Sequence, residues 1–232
     1  MKTAICFSGE LRSIDKTYPI LKDKLLNRFS DYDIFYHTWN DDPDLYKLHY
    51  IEKDEHTKNI LIENRLTLPE REIFHKNKRS EVFVQGMLRQ LYCLKMCNNL
   101  KKNYENDNNF KYDIVVRARP DLLIVNNTSL ERTVETWDYK NYIYTTDHDD
   151  HGGYNDRFYF SNSENMDFLL DRLDLLDYYA DLGGIFHYET FFKFCVKYIN
   201  LDVARSNMQF ILLRSNGEMS SDLLKYNIDL GI

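Results

Sequence analysis

The segment Arg117-Ala118-Arg119-Pro120-Asp121 combines two guanidinium groups with one carboxylate. The β-branched stretch Tyr112–Arg117 leads into it and predicts a buried strand. Because side chains alternate along an extended chain, Arg117, Arg119 and Asp121 share one face. Guanidinium forks suit phosphate oxygens, and a carboxylate suits a hard cation such as Mg²⁺ or Mn²⁺. An Arg–Asp ion pair that fastens the loop is the structural alternative.

A second polar cluster, Ser8-Gly9-Glu10-Leu11-Arg12, follows the apolar stretch Ala4–Phe7, which predicts a strand. Glycine lets a ligand approach the backbone, and exposed amides can bind an anion. The sequence contains no Gly-x-Gly-x-x-Gly fingerprint and no Walker loop. Ser8-Gly9 is therefore either an anion-contacting loop or an ordinary turn.

Two more polar clusters occur at expected strand ends. His37-Thr38-Trp39 closes the predicted strand Tyr32–Trp39, and the stretch Asp147–Arg157 opens with Asp147-His148-Asp149-Asp150-His151. Histidine and aspartate ligate metals, but adjacent side chains point in different directions, so a solvated acidic loop competes with a metal site. Gly152-Gly153 would suit the hinge of a mobile loop. Ligands of open α/β sheets bind outside the carboxyl ends of strands, so the four clusters together predict one site.

Strands that alternate with helices predict an α/β fold with a mostly parallel central sheet flanked by helices. The remaining predicted strands are Leu122–Val125, Tyr142–Thr145, Arg157–Phe160 and Met208–Leu213. The predicted helices run from Asp15 or Thr17 to Phe29, over 52–64, over 80–103, from Ser161 or Ser163 to Ala180, and from His187 to Tyr198, with a loop over 102–109.

Composition limits the class of protein. The chain has 232 residues, 43% of them hydrophobic and 15% aromatic, which fits one globular domain with a proper core. A mean hydropathy of -0.57 and short apolar runs exclude a transmembrane bundle. The net charge of -7 disfavours nucleic-acid binding, although a local arginine cluster can still bind an anionic small ligand.

The four cysteines contain no Cys-x-x-Cys pair, so a zinc knuckle is not expected. Cys93 and Cys97 lie four residues apart on the predicted 80–103 helix, where core packing suits them better than metal binding. The N-terminus lacks the apolar stretch of a signal peptide, which predicts a reducing, cytoplasmic location. The Asn-x-Ser/Thr matches at Asn126 and Asn127 are therefore not expected to carry sugars.

Five motifs occur in an order that resembles one family. They are Phe7–Arg12, Asp33–Trp39, Tyr112–Asp121, Asn155–Phe158 and His187–Glu189. This ordered set is similar to small glycosyltransferases of the nucleotide-sugar-binding GT-A fold that occur in large DNA viruses and bacterial surface-polysaccharide clusters. The resemblance spans Ala4 to about Arg214. It implies one GT-A-like domain over 1–232, with a nucleotide-binding half at about 1–125 and an acceptor-side half at about 126–232.

The resemblance also implies residue roles. Nucleotide-sugar contacts would come from Phe7, Ser8, Gly9, Arg12, His37, Thr38, Trp39, Arg117 and Arg119. The family's Asp-x-Asp metal motif reads Arg119-Pro120-Asp121 here, so the first acid is missing. Asp121 and His187 remain as implied ligands of Mn²⁺ or Mg²⁺, with a surface or capping role as the alternative for His187. Asp156 and Glu189 match the catalytic acids, and their two roles are not separable from the sequence.

The implied activity is hexosyl or deoxyhexosyl transfer from a nucleotide-diphosphate sugar to a glycan, glycoprotein, glycolipid or other hydroxyl acceptor. The diphosphate leaving group must be neutralised by a metal or by arginines. Trp39, Tyr154 and Tyr188 are candidates for stacking on a base or sugar. Two alternatives stay open: a non-catalytic nucleotide-sugar binding module, and a metal-dependent phosphoesterase or nucleotidyltransferase that uses the 147–151 loop.

Overall fold

The computed structural model describes residues 1–68, 80–125 and 138–226, and a seven-stranded sheet lies at its centre. The strands are β1 (Thr3–Ser8), β2 (Tyr32–Trp39), β3 (Thr57–Glu63), β4 (Ile114–Ala118), β5 (Leu122–Ile124), β6 (Tyr142–Thr146), β7 (Phe158–Ser161), β8 (Asp202–Ser206), β9 (Phe210–Leu213) and β10 (Met219–Ser220). The α-helices are α1 (Ile14–Lys24), α2 (His49–Glu52), α3 (Glu81–Asp107), α4 (Ser163–Leu170), α5 (Leu176–Asp181) and α6 (Tyr188–Tyr198).

The central sheet has the order β3-β2-β1-β4-β7-β6-β8. All of its strands run in the same direction except β7, which is antiparallel to both neighbours. The expected α/β fold class, with a mostly parallel central sheet flanked by helices, is confirmed. The Asn-x-Ser/Thr matches at Asn126 and Asn127, which are not expected to carry sugars, lie outside the described residues.

Two apolar cores cover the two faces of this sheet, which explains why its central strands read as unbroken apolar runs. Along β1, Ile5 packs into a core that includes Leu21 of α1, whereas the next residue, Cys6, packs into a core that includes Leu91 of α3. Every residue of β1, β2 and β4 is buried. Cys93 and Cys97 are buried in α3, as predicted.

A second, antiparallel sheet of order β10-β9-β5 stands beside the first. β5 begins soon after β4 ends, so the turn Arg119-Pro120-Asp121 carries the chain from one sheet to the other. Hydroxyl groups of α1 and of the residue before it hold this sheet in place. Ser13 donates to the carbonyl oxygen of Leu213, and Thr17 donates to that of Pro120.

The prediction of a helix over 52–64 is wrong. Residues 57–63 form β3, which pairs in parallel with β2, and the α-helix nearby is the short α2. β8 was likewise not predicted. Both strands lie at edges of the central sheet and most of their side chains are partly or fully exposed, so they lack the buried runs that mark the inner strands.

Three helix boundaries also differ from prediction. α1 ends at Lys24, and a short 3₁₀ turn occupies part of its predicted last stretch. α3 continues to Asp107 through the predicted loop because Lys101 and Glu105 form a buried i,i+4 ion pair of 3.0 Å. The helix predicted to reach Ala180 is divided into α4, a 3₁₀ turn and α5, and its N-cap is Asn162 rather than a serine.

Candidate functional site

A cleft of about 420 Å³ opens at the carboxyl ends of β1, β2 and β4. We call it the arginine cleft, because its lining includes Arg12, Arg65, Arg89, Arg117, Arg119, Arg157 and Arg214. Three carboxylates also line it: Glu10, Asp156 and Glu189. In a chain with a net charge of -7, this concentration of guanidinium groups makes the cleft locally rich in positive charge.

The reversed direction of β7 completes the cleft. Ala118, the last residue of β4, pairs with Phe158, the first residue of β7. The segment before β7 therefore lies beside the segment after β4, and the Arg119 N–H donates to the Arg157 carbonyl oxygen at 3.2 Å. Two of the sequence motifs, 117–121 and 155–158, meet at one place for this reason.

The loop after β1 forms one wall and is held from two sides. Gly9 has a φ of +101°, a conformation that side-chain-bearing residues rarely adopt. The Tyr36 hydroxyl donates to the Gly9 carbonyl oxygen at 2.8 Å, and the Leu11 N–H donates to the buried Asp42 carboxylate at 2.7 Å. The Gly9 N–H donates to the His37 carbonyl oxygen at 3.0 Å, so this amide is already engaged and the loop supplies shape.

Asp121 lies beneath the cleft rather than in its lining, and its side chain is fully buried. Arg119 donates to both of its carboxylate oxygens at 2.8 Å, and Arg12 Nη1 donates to Oδ2 at 2.7 Å. Arg214 Nη1 lies 3.6 Å from the same oxygen. Burial alone would raise the pKa of Asp121, but the charges of Arg119 and then Arg12 outweigh it and hold that pKa below its ordinary value.

Arg117 differs from these arginines because its guanidinium has no ion-pair partner within the described part of the chain. Its side chain is almost fully buried and lines the cleft. Nη1 donates to the Arg157 carbonyl oxygen, while Nε has no hydrogen-bond partner among the described residues. Burial lowers the pKa of Arg117 to about 10, because it outweighs the opposing influence of Tyr159 and of the charge of Asp156 and is reinforced by the charges of Arg119 and Arg172. An unpaired buried cation of this kind is costly unless an anion completes it.

Asp156 and Glu189 are buried carboxylates of the same lining. Asp156 Oδ2 accepts a 2.7 Å hydrogen bond from Gln90 Nε2 and lies 3.5 Å from Arg172 Nη2. Burial, reinforced by the charge of Asp156, raises the pKa of Glu189 to about 7. A carboxylate with a pKa near neutrality can accept and release a proton under physiological conditions.

The loop after β6 fixes the position of Glu189. The Tyr154 N–H donates to the Glu189 carbonyl oxygen at 3.1 Å, and Gly153 packs directly against the same peptide unit. The expectation that residues 147–151 form a solvated acidic loop is wrong for the centre of that loop. His148 and Asp149 are buried, and Asp149 Oδ2 accepts 2.6 and 2.9 Å hydrogen bonds from Arg157 and Ser221.

Eight of the thirteen predicted site residues line the arginine cleft: Ser8, Gly9, Arg12, Trp39, Arg117, Arg119, Asp156 and Glu189. The others lie outside its lining: Phe7, His37, Thr38, Asp121 and His187. Phe7 packs in the core of the α1 face, and His37 Nε2 lies 2.8 Å from Glu63 Oε2. The Trp39 ring stacks on Tyr92 at 5.8 Å, and the guanidinium carbon of Arg65 lies 5.9 Å from its centre.

His187 immediately precedes α6, at the position of an N-cap residue, but its side chain makes no capping hydrogen bond. Its Nδ1 lies 3.3 Å from Glu189 Oε2, and its ring lies 6.4 Å from that of His151. Neither contact brings it near Asp121 in the way that a shared metal ligand set would require.

The metal that the resemblance implies does not fit the residues of the cleft. Both oxygens of Asp121 are occupied by guanidinium groups, and a cation placed there would face like charges. Elsewhere in the described part of the chain, Asp149, His151 and Asp222 bring ligand atoms within 4.8 Å of one another and could hold a metal ion. That group lines a different pocket.

Sequence reasoning missed several residues of the lining: Arg65, Arg89, Gln90, Cys93 and Arg214. In α3, Gly86, Gln90 and Cys93 recur at helical spacing and lie on one face, a pattern that could have indicated that this face lines the cleft. Arg65 follows β3, the strand that was predicted as helix, and Arg214 follows β9. Both are therefore strand-end residues, like the four clusters that the sequence did reveal.

Comparisons with known proteins describe what the chain is similar to. It is similar to mouse xyloside xylosyltransferase 1 in its apo form, with a TM-score of 0.48 and 8% identity over 89% of this chain and 85% of that one. It is also similar to the glycosyltransferase GlyE of Streptococcus pneumoniae TIGR4, with a TM-score of 0.43 and 12% identity. That match covers 89% of this chain but 45% of GlyE, so the chain spans less than half of it.

No curated protein sequence matches the chain. Among the described residues, no helix is both long and apolar enough to cross a bilayer. The profile of the family described as "Domain of unknown function (DUF7796)" matches residues 1–220, which is most of the chain. The chain therefore belongs to that family.

Proposed function

We propose that the chain is a glycosyltransferase that binds a nucleotide-diphosphate sugar in the arginine cleft. The observation that carries this proposal is the unpaired, buried guanidinium of Arg117, which lines the same cleft as the buried carboxylates Asp156 and Glu189. A cation without a counter-ion suits a phosphate group. A carboxylate with a pKa near 7 suits a base that removes a proton from a hydroxyl group.

The order of the sequence motifs supports the same reading. The motifs that resemble GT-A proteins are distant in the chain, and residues from all five line the cleft: Gly9, Trp39, Arg119, Asp156 and Glu189. A cluster that formed only through local ion pairing would not require this convergence.

In the proposed reaction, the acceptor hydroxyl oxygen attacks the anomeric carbon of the donor sugar. The bond between that carbon and the diphosphate oxygen breaks, and its electron pair leaves with the nucleoside diphosphate. The hydroxyl proton passes to the Glu189 carboxylate. Arginines of the cleft stabilise the negative charge that develops on the leaving group.

The two carboxylates take different parts in this scheme. Asp156 is held by Gln90 and by the charge of Arg172, so its negative charge is already compensated by protein groups. Glu189 has a raised pKa and is the better proton acceptor. We therefore assign Glu189 as the base and Asp156 as the charge that raises its basicity.

For the transferred group, the acceptor and the location, we propose that a hexosyl or deoxyhexosyl group is transferred to a glycan or other hydroxyl acceptor in the cytoplasm. All four cysteines are free thiols, which supports a reducing compartment.

Thermal denaturation with a panel of uridine, guanosine and deoxythymidine diphosphate sugars tests the binding step. A ligand at a hundred times its Kd stabilises a protein by about 2.7 kcal/mol, which is roughly 5–10 °C for a chain of this size. A panel in which no nucleotide sugar stabilises the protein would contradict the proposal.

Release of nucleoside diphosphate then tests turnover. Glu189→Gln should keep the thermal shift and lower turnover by about 10²- to 10⁴-fold, because the base is lost while the arginines remain. Asp174→Asn, which changes a surface ion pair with Lys95, is the matched control and should alter neither quantity.

A further inference from the structure

We infer that the arginine cleft holds the donor diphosphate without a divalent metal, and that Asp121 is the internal counter-ion that orders its arginines. This inference rests on the proposed function, because it specifies how that function's substrate is bound. It departs from the Mn²⁺ or Mg²⁺ requirement that the resemblance implies.

The contacts of Asp121 leave no room for a metal. Its three hydrogen bonds come from the guanidinium groups of Arg119 and Arg12, at 2.7 and 2.8 Å. A carboxylate offers about four lone-pair positions, of which three accept these charge-assisted bonds, and Arg214 Nη1 lies 3.6 Å from Oδ2, so a cation at the remaining position would lie beside like charges. The side chain is also fully buried and does not line the cleft, so a ligand in the cleft does not reach it.

The local charge balance favours an anion over a cation. Three guanidinium groups contact this one carboxylate: Arg12, Arg119 and Arg214. Glu10 pairs with Arg12 and Arg65, but positive charges still outnumber negative ones. A divalent cation would add to this excess, whereas a diphosphate would cancel it.

Arg117 provides the open donor. Its side chain is almost fully buried, and its Nε–H finds no acceptor among the described residues. Because Asp121 fixes Arg119 and Arg12 in place, these groups need little reorganisation when charge develops on the leaving diphosphate. Arg117 would then be the anchor, and Asp121 a positioning residue that acts through Arg12 and Arg119.

Calorimetric titration of the full chain with inorganic pyrophosphate, in EDTA and in Mn²⁺, tests the inference. Pyrophosphate should bind in EDTA with an affinity within about 3-fold of that in Mn²⁺. Arg117→Gln removes the anchor's charge and should weaken binding by about 30-fold or more, since the charge-assisted hydrogen bonds to the phosphate oxygens are lost. Asp121→Asn should weaken it by about 10-fold in both media. Asp174→Asn should leave it unchanged.

Three results would overturn the inference. One is pyrophosphate binding that disappears in EDTA and returns with Mn²⁺. Another is an Asp121→Asn variant that loses only a Mn²⁺-dependent part of the affinity. The third is an Arg117→Gln variant that binds as well as the parent, which stays decisive even if Asp121→Asn fails to fold.

The inference and the proposed function can fail separately. Metal-free binding of pyrophosphate without turnover of any nucleotide sugar would sustain the arginine clamp and contradict the glycosyltransferase. Turnover of a nucleotide sugar that depends strictly on Mn²⁺ would sustain the glycosyltransferase and contradict the clamp.

Discussion

Gly153 and Glu189 are in backbone contact: a β-carbon built on Gly153 would lie 2.0 Å from the carbonyl carbon and oxygen of Glu189. The loop after β6 and the first turn of α6 therefore fit together only because residue 153 has no side chain. This contact sets the position of the carboxylate that we assign as the base. The expected hinge role of Gly153 conflicts with such close packing.

Gly153→Ala should displace the first turn of α6 and lower the free energy of unfolding by about 1–3 kcal/mol, as overpacking does. It should also lower turnover and move the pH midpoint of turnover, because the surroundings of Glu189 change. Urea denaturation and a pH–rate profile measure the two effects. Gly152→Ala is the control: its φ of +87° makes alanine strained there, but its β-carbon would meet no atom within 4 Å, so it changes the backbone of the loop without displacing α6. Equal pH midpoints for both variants would refute the positioning role.

The raised pKa of Glu189 predicts a pH-dependent stability. Its folded-state pKa is about 7, above the ordinary value of 4.5, so the folded chain binds this proton more tightly than the unfolded chain. The resulting stabilisation is complete below about pH 4.5 and is lost as the pH rises through 7. A tenfold difference in proton affinity between the two states corresponds to about 1.4 kcal/mol of stability.

Glu189→Gln should therefore reduce the pH dependence of stability. Between pH 5 and pH 8, the variant should lose less of its free energy of unfolding than the parent does. We expect a relative gain of about 2–3 kcal/mol, measured by urea denaturation at the two pH values. An unchanged pH dependence in the variant would show that another group accounts for it.

The loop after β1 offers a test of shape. Gly9→Ala should cost about 1–2 kcal/mol of stability, because Gly9 has a φ of +101°. It should also weaken pyrophosphate binding, since the loop carries Arg12. Gly183→Ala, at another positive-φ glycine with open space around it, should cost similar stability and leave binding unchanged. Equal binding by both variants would exclude a role for the loop.

A substitution in the 147–151 loop distinguishes the proposed glycosyltransferase from the phosphoesterase alternative. His151 is exposed and does not line the arginine cleft, so His151→Asn should change stability by less than about 0.5 kcal/mol. Nucleoside diphosphate release from the active nucleotide sugar should stay within about 2-fold of the parent's. Abolished activity would favour a metal centre formed by Asp149, His151 and Asp222.

The inner strands of the sheet could be predicted because strands that are buried on both faces form continuous apolar runs in the sequence. β1, β2 and β4 are unbroken buried runs, and α3 begins where Ser80 caps it. The edge strands β3 and β8 could not be predicted, because exposed edge strands alternate only weakly between apolar and polar residues. The length of α3 was also hidden, since it depends on a buried ion pair that forms only in the folded chain.

The candidate site was predictable to the extent that strand ends are visible in the sequence. Arg117 and Arg119 could be predicted because they lie two residues apart at the end of an apolar strand, and both line the cleft. The use of Asp121 could not be read from its neighbours, because Arg12 reaches it across 109 residues and Arg214 reaches it from the end of β9. Polar contacts between distant residues depend on topology, which local spacing does not encode.

The hydrogen bond from the Ser13 hydroxyl to the Leu213 carbonyl oxygen joins residues that are 200 positions apart in the chain. This separation has a consequence for the synthesis of the protein on the ribosome. The first wall of the cleft is synthesised early, but the strand that braces it is among the last to emerge. At about 5–20 residues per second, at least about ten seconds separate the synthesis of Ser13 from that of Leu213. During that interval Arg12 and Arg119 can share their common counter-ion, Asp121, before Arg214 arrives.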